Sequence, residues 1–90
     1  MAHIQQTSKK LLSRVNRIQG QVAALATALE TGMDCGQVLT QIAAVRGAVH
    51  GLMMEVLRDH LHSHVATQAD AAKRADEVET VANLLRTYLR

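Results

Sequence analysis

LLSRVNRIQGQVAALATAL, residues 11–29, and CGQVLTQIAAVRGAVHGLMMEVL, residues 35–57, decide the fold. In the first, Leu11, Val15, Ile18, Val22, Leu25 and Leu29 recur in alternating steps of four and three, a helical seam with coiled-coil spacing. In the second, Val38, Ile42, Val45, Val49, Leu52 and Val56 repeat that spacing, and Leu39, Met53 and Leu57 form another stripe beside it. Two apolar stripes on one helix require two helical neighbours. Gly32 suits a left-handed helix end, and Asp34 with Gln37 three residues on resembles a capping box. The first two helices therefore fold as an antiparallel hairpin, and the second stripe calls for a partner from elsewhere. After His64 the pattern weakens, and a third helix is expected from about Asp70 to Leu89, with Val78, Val81, Leu85 and Tyr88 on one face.

Composition agrees with an all-α fold. Hydrophobic residues make up 48% of the 90, yet Tyr88 is the one aromatic, and Phe, Trp and Pro are absent. This disfavours a β-sandwich and a single-strand binder that stacks bases on aromatic platforms. One domain over residues 1–90 is expected, and its thin Ala/Leu/Val core points to oligomerisation. No signal peptide and no apolar run long enough for a bilayer can be read in the sequence, so a cytoplasmic, non-membrane protein is expected.

The net charge of +2 is unevenly placed. Residues 1–29 hold Lys9, Lys10, Arg14 and Arg17 and no acid, giving +4; residues 30–90 hold six basic and eight acidic residues, giving −2. At 100° per residue, Lys10, Arg14, Arg17 and Gln21 share a narrow arc about a third of a turn from the Leu11/Val15/Ile18/Val22 seam. Such a stripe is either a solvated face or, repeated in an oligomer, a phosphate-binding surface.

The remaining chemistry lies in His3, Cys35, His50, His60, His62 and His64. His60 and His64, four apart on a helix, can converge on one ion or be a solvated pair. Cys35 cannot form an intrachain disulfide and is a buried filler, a reactive thiol or a metal ligand. A continuous helix would separate Cys35 from His60 by about 37 Å at the usual rise, which excludes a shared ion within one chain. Both nevertheless fall on the stripe of Leu39, Ile42, Val49 and Met53. If two such helices pair antiparallel about a two-fold axis near Val49, Cys35 of one subunit lies beside His60 and His64 of the other. Gly47, Ala48 and Gly51 would permit the close approach. A turn near Met33 sets position 3 opposite about position 63, which brings His3 and the amino terminus to the same point.

The stretches RVNRIQGQVAAL, residues 14–25, and DCGQVLTQIAAVRGAVHGLMMEVLRDHLHSHV, residues 34–65, resemble the bacterial CsoR/RcnR family of helical transcriptional repressors over nearly the whole chain. The resemblance implies a three-helix subunit with a long α1–α2 hairpin and a short α3. It also implies a four-helix-bundle dimer and a dimer-of-dimers homotetramer on double-stranded operator DNA, and DNA affinity that falls when effector binds.

Within that family, copper(I) sensors place a second Cys where this chain has His64, and an imidazole there argues against trigonal Cu(I). Formaldehyde sensors keep the Cys, use an N-terminal Pro and usually lack the His64 counterpart; position 2 here is Ala. The nickel/cobalt sensors of the RcnR type have His near the N-terminus, then Cys, His and His. His3, Cys35, His60 and His64 match those four places, and removal of Met1 would add the α-amine of Ala2. The resemblance thus implies a repressor of a metal-efflux gene that is released from DNA by Ni(II) or Co(II). The alternative is a formaldehyde-responsive repressor using Cys35 and the N-terminal amine.

The expected DNA-binding residues are Lys9, Lys10, Arg14, Arg17 and Gln21, reading backbone and shape more than base edges. An enzyme is not expected. No HExxH occurs, and none of Glu30, Glu55, Glu77 and Glu79 has the downstream His of di-iron bundles. A metal-storage protein, with the basic stripe incidental, is a further alternative.

Overall fold

The structure is a computed structural model that describes residues 2–88, with side chains described for residues 8–88. Helix α1 spans Ala2–Glu30, α2 spans Cys35–Leu61, a π-helical turn spans His62–Ala66, and α3 spans Ala71–Tyr88. The described residues contain no strand. The chain divides into two compact units, Met1–Met54 and Glu55–Arg90. The end of the third helix expected at Leu89 lies outside the described residues.

In the first unit, α1 stops where the sequence places its stop. Gly32 has φ 73°, the left-handed region that a glycine adopts without strain. The Met33 N–H donates to Ala28 O at 2.9 Å and the Gly32 N–H to Leu29 O at 3.4 Å, the paired bonds of a Schellman end. Asp34 then caps α2, its Oδ2 accepting from the Gly36 N–H at 3.1 Å.

The hairpin is antiparallel. Arg14 lies against Gly51, while Gln21 and Ala24 share a cleft of about 110 Å³ with Ala44 and Gln41. Each step toward the turn on α1 is thus matched by an equal step on α2.

The seam differs from the one read in the sequence. Its α1 side is Leu11, Arg14, Val15, Ile18, Gln21 and Leu25, all half-buried, and the buried Ala28. Val22 and Leu29 are 48% and 63% exposed. Leu11, Val15, Ile18 and Leu25 are common to both versions; Arg14 joins Val15 there, and Gln21 and Ala28 take the places of Val22 and Leu29. The small Gly51 and Ala44 on α2 leave room for the two long polar side chains, so local fit overrides the apolar pattern. Likewise on α2, Ile42 and Val49, expected in the seam, are exposed. Gly51, expected to ease approach of a second subunit, faces α1 of its own chain.

Few side chains are removed from water. Among the described residues only Ala28 and Val81 count as buried core. Leu12, Val22 and Leu29 on α1 and Leu39, Ile42 and Val49 on α2 stay exposed within the first unit, apolar surface of the kind that marks an interaction face.

In the second unit, the π turn and α3 pack together. The Thr67 N–H reaches back five residues to His62 O at 3.3 Å, and its hydroxyl donates to Ser63 O at 3.0 Å and His62 O at 3.1 Å. Asp70 caps α3 through Oδ1, which accepts from the Ala72 and Lys73 N–H groups at 2.9 and 3.1 Å. Of the expected α3 face, Val81 is buried, whereas Val78, Leu85 and Tyr88 are exposed. No helix among the described residues is long and apolar enough to cross a membrane.

Candidate effector and nucleic-acid sites

His60 occupies the last turn of α2, and His64 follows on the π turn. Their ring centroids are 4.6 Å apart, with the planes tilted by 36°. The widened turn therefore keeps the two imidazoles together past the end of the α-helix, and π turns of this kind recur at functional sites. From α3, Glu77 closes on the pair, its Oε2 standing 2.8 Å from His60 Nε2. Both partners are one-third exposed. With Nε2 donating to the carboxylate, His60 presents the lone pair of Nδ1, the arrangement that orients a metal-ligating histidine.

Glu77 has no place in the sequence-based ligand set. It lies 17 residues from His60. No helical spacing connects two residues on different helices, and the loop of residues 67–70 sets their approach. The usable signal was the acidic cluster Asp76, Glu77 and Glu79 on a helix following a histidine-rich turn.

Cys35 is the first residue of α2 and is an exposed free thiol. His60 is next to last in the same helix. Among the described residues no three His, Cys, Asp or Glu side chains form a group able to hold an ion. Ala2 and His3 fall outside the residues whose side chains are described. His50 and His62 are exposed.

The basic stripe divides in two. Lys9, Lys10 and Arg17 are exposed, as a phosphate-binding face requires. Arg14 and Gln21, expected on the same open face, are half-buried in the seam against α2. Gln21 Oε1 and Gln41 Oε1 are buried and accept no hydrogen bond from the described residues, while Gln41 Nε2 donates to Met33 Sδ at 3.3 Å.

Residues 7–87 match the model of the metal-sensitive transcriptional repressor family. The chain belongs to this family. Its members are transcriptional regulators rather than enzymes, and the three-helix subunit is the family's fold. A solved repressor of this fold is similar throughout: the formaldehyde-responsive regulator FrmR of Salmonella enterica serovar Typhimurium, in a variant with a glutamate-to-histidine exchange. It shares 46% identity over 92% of this chain and 94% of its own, with a TM-score of 0.83. No curated protein matches the chain. Family membership supports metal as an effector class, whereas the similar structure is that of a formaldehyde-responsive regulator. The expectation of nickel or cobalt is therefore not carried by the comparisons.

Proposed function

We propose that this chain is a repressor that binds double-stranded operator DNA through the basic face of α1 and releases it when an effector engages Cys35. The observation that carries this reading is the family match over residues 7–87, joined to an exposed thiol at the head of α2 and an exposed Lys9/Lys10/Arg17 face. Oligomerisation is part of the proposal. The exposed Leu39, Ile42 and Val49 suit a second copy of the chain, and antiparallel pairing near Val49 would bring Cys35 of one subunit to His60 and His64 of the other. A dimer-of-dimers tetramer would then repeat the basic face along the duplex.

Two effector chemistries meet at Cys35. Similarity to a formaldehyde-responsive regulator favours the aldehyde. The Cys35 thiol and an N-terminal amine at Ala2 would condense with formaldehyde into an S–CH2–N bridge, losing one water. The paired imidazoles of His60 and His64 favour a metal ion instead, Ni(II) or Co(II) by the donor set of His3, Cys35, His60, His64 and the amine. Nitrogen donors in that number suit five or six ligands better than the four of a structural zinc site.

Release of an operator duplex, selected by the protein from a random library, separates the readings. Fluorescence anisotropy would be followed during titration with Ni(II), Co(II), Zn(II), Cu(I) and formaldehyde. Release by formaldehyde alone establishes the aldehyde reading, and release by Ni(II) or Co(II) alone the metal one. Failure of the protein to select any duplex would overturn the repressor reading itself.

A further inference from the structure

Arg14 does not stand freely on the basic face of α1. It is half-buried, and its Nη1 lies 3.1 Å from the point where a Cβ at position 51 would stand. A Cβ there would crowd the guanidinium and push it by a few tenths of an ångström, and a longer side chain would displace it further. The other long polar residue of the α1 seam, Gln21, is likewise matched with a small partner, Ala44. Lys10 and Arg17, on the same arc of α1, are exposed and meet no such constraint.

We propose that Gly51 is a positioning residue for DNA binding: the bare backbone of α2 at Gly51 seats the Arg14 guanidinium and fixes where its charge is presented to a phosphate. The inference rests on the reading that the basic face of α1 binds operator DNA. An unconstrained arginine loses rotamer freedom when it grips a phosphate, and a planar fork already laid on a helix loses less. The seat also gives α2 a hold on the DNA face. Cys35 opens that helix, so a displacement of α2 on effector binding carries the seat with it.

The test is a double-mutant cycle on the full chain, read as operator affinity against salt concentration by anisotropy, with circular dichroism to verify helicity. Arg14→Ala should weaken binding and reduce the salt slope by about 1, the signature of one lost phosphate contact. Gly51→Leu fills the seat and should give the same reduced slope while the arginine is still present. In the Arg14→Ala background, Gly51→Leu should have no further effect, since its action passes through the arginine. Gly51→Ala serves where the leucine variant does not fold, with a smaller loss in the same direction. Independent, multiplying losses, or an unchanged slope in both Gly51 variants, would overturn the proposal while leaving the DNA-face reading intact. Wild-type DNA binding by Arg14→Ala would overturn the proposal alone, since the DNA-face reading stands on the exposed Lys9, Lys10 and Arg17.

Discussion

His60 Nε2 and Glu77 Oε2 lie 2.8 Å apart, so the last turn of α2 is tied to α3 through one of the two paired imidazoles. Glu77→Ala leaves that ring unoriented. Under the metal reading, the Ni(II) or Co(II) concentration needed to release DNA should rise by about 10-fold or more, the usual cost of losing a partner that orients a ligand. Formaldehyde release should be unchanged. The pair is one-third exposed, so the effect on unfolding should stay within about 1 kcal/mol.

Cys35 and His64 should separate the effectors genetically. Cys35→Ala removes the thiol common to both chemistries and should abolish release by metal and aldehyde alike, with operator affinity in the effector-free state kept. His64→Leu removes one imidazole and should abolish only the metal response. A Cys35→Ala protein that still releases DNA would contradict both readings.

Lys10 and Arg17 stand exposed on α1. Each alanine substitution should lower operator affinity most at low salt and reduce the slope of log affinity against log salt by about 1. Competitor DNA of unrelated sequence should lose affinity in equal proportion, because phosphate contacts carry no base information.

Gly32 ends α1 at φ 73°. Gly32→Ala keeps the Schellman bonds only by holding an L side chain in the left-handed region, which costs about 1–2 kcal/mol. A fall in melting temperature of several degrees is expected; an unchanged midpoint would mean that the hairpin turn tolerates another path.

Val49 is 47% exposed on the face of α2 proposed to meet a second copy. Val49→Asp should leave the helical circular dichroism largely in place and shift sedimentation toward the monomer. Effector response should disappear with the dimer, because Cys35 and His60 lie at opposite ends of one helix.

The three helices were legible because their signals are local: apolar periodicity, the glycine after α1, Asp34 before α2 and Asp70 before α3. The division of α1 into an inward and an outward side was not. Val22 and Gln21 are adjacent, and periodicity favoured the valine. The small α2 residues opposite, Ala44 and Gly51, admitted Gln21 and Arg14 instead. Glu77 was hidden for a related reason, since its partner lies on another helix and the angle between them is set by a turn whose π geometry the sequence does not announce. Cys35, His60 and His64 were visible as residue types, and the joining of the two imidazoles followed from their spacing. What would join them to Cys35 is a second chain.

The two glutamine carbonyls buried in the hairpin bear on uniqueness more than on cohesion. An unpaired buried acceptor costs about 1–3 kcal/mol, so a leucine in either place would hold the helices together more tightly. A uniformly apolar zipper, however, fits almost as well when slid by one heptad. Sliding here would part Gln21 from Gln41, set it against Gln37 or Gly51 instead of Ala44, and take Arg14 off Gly51. The hairpin has given up adhesive strength for a single ruler setting, and at that setting the charge of residue 14 comes to rest over residue 51.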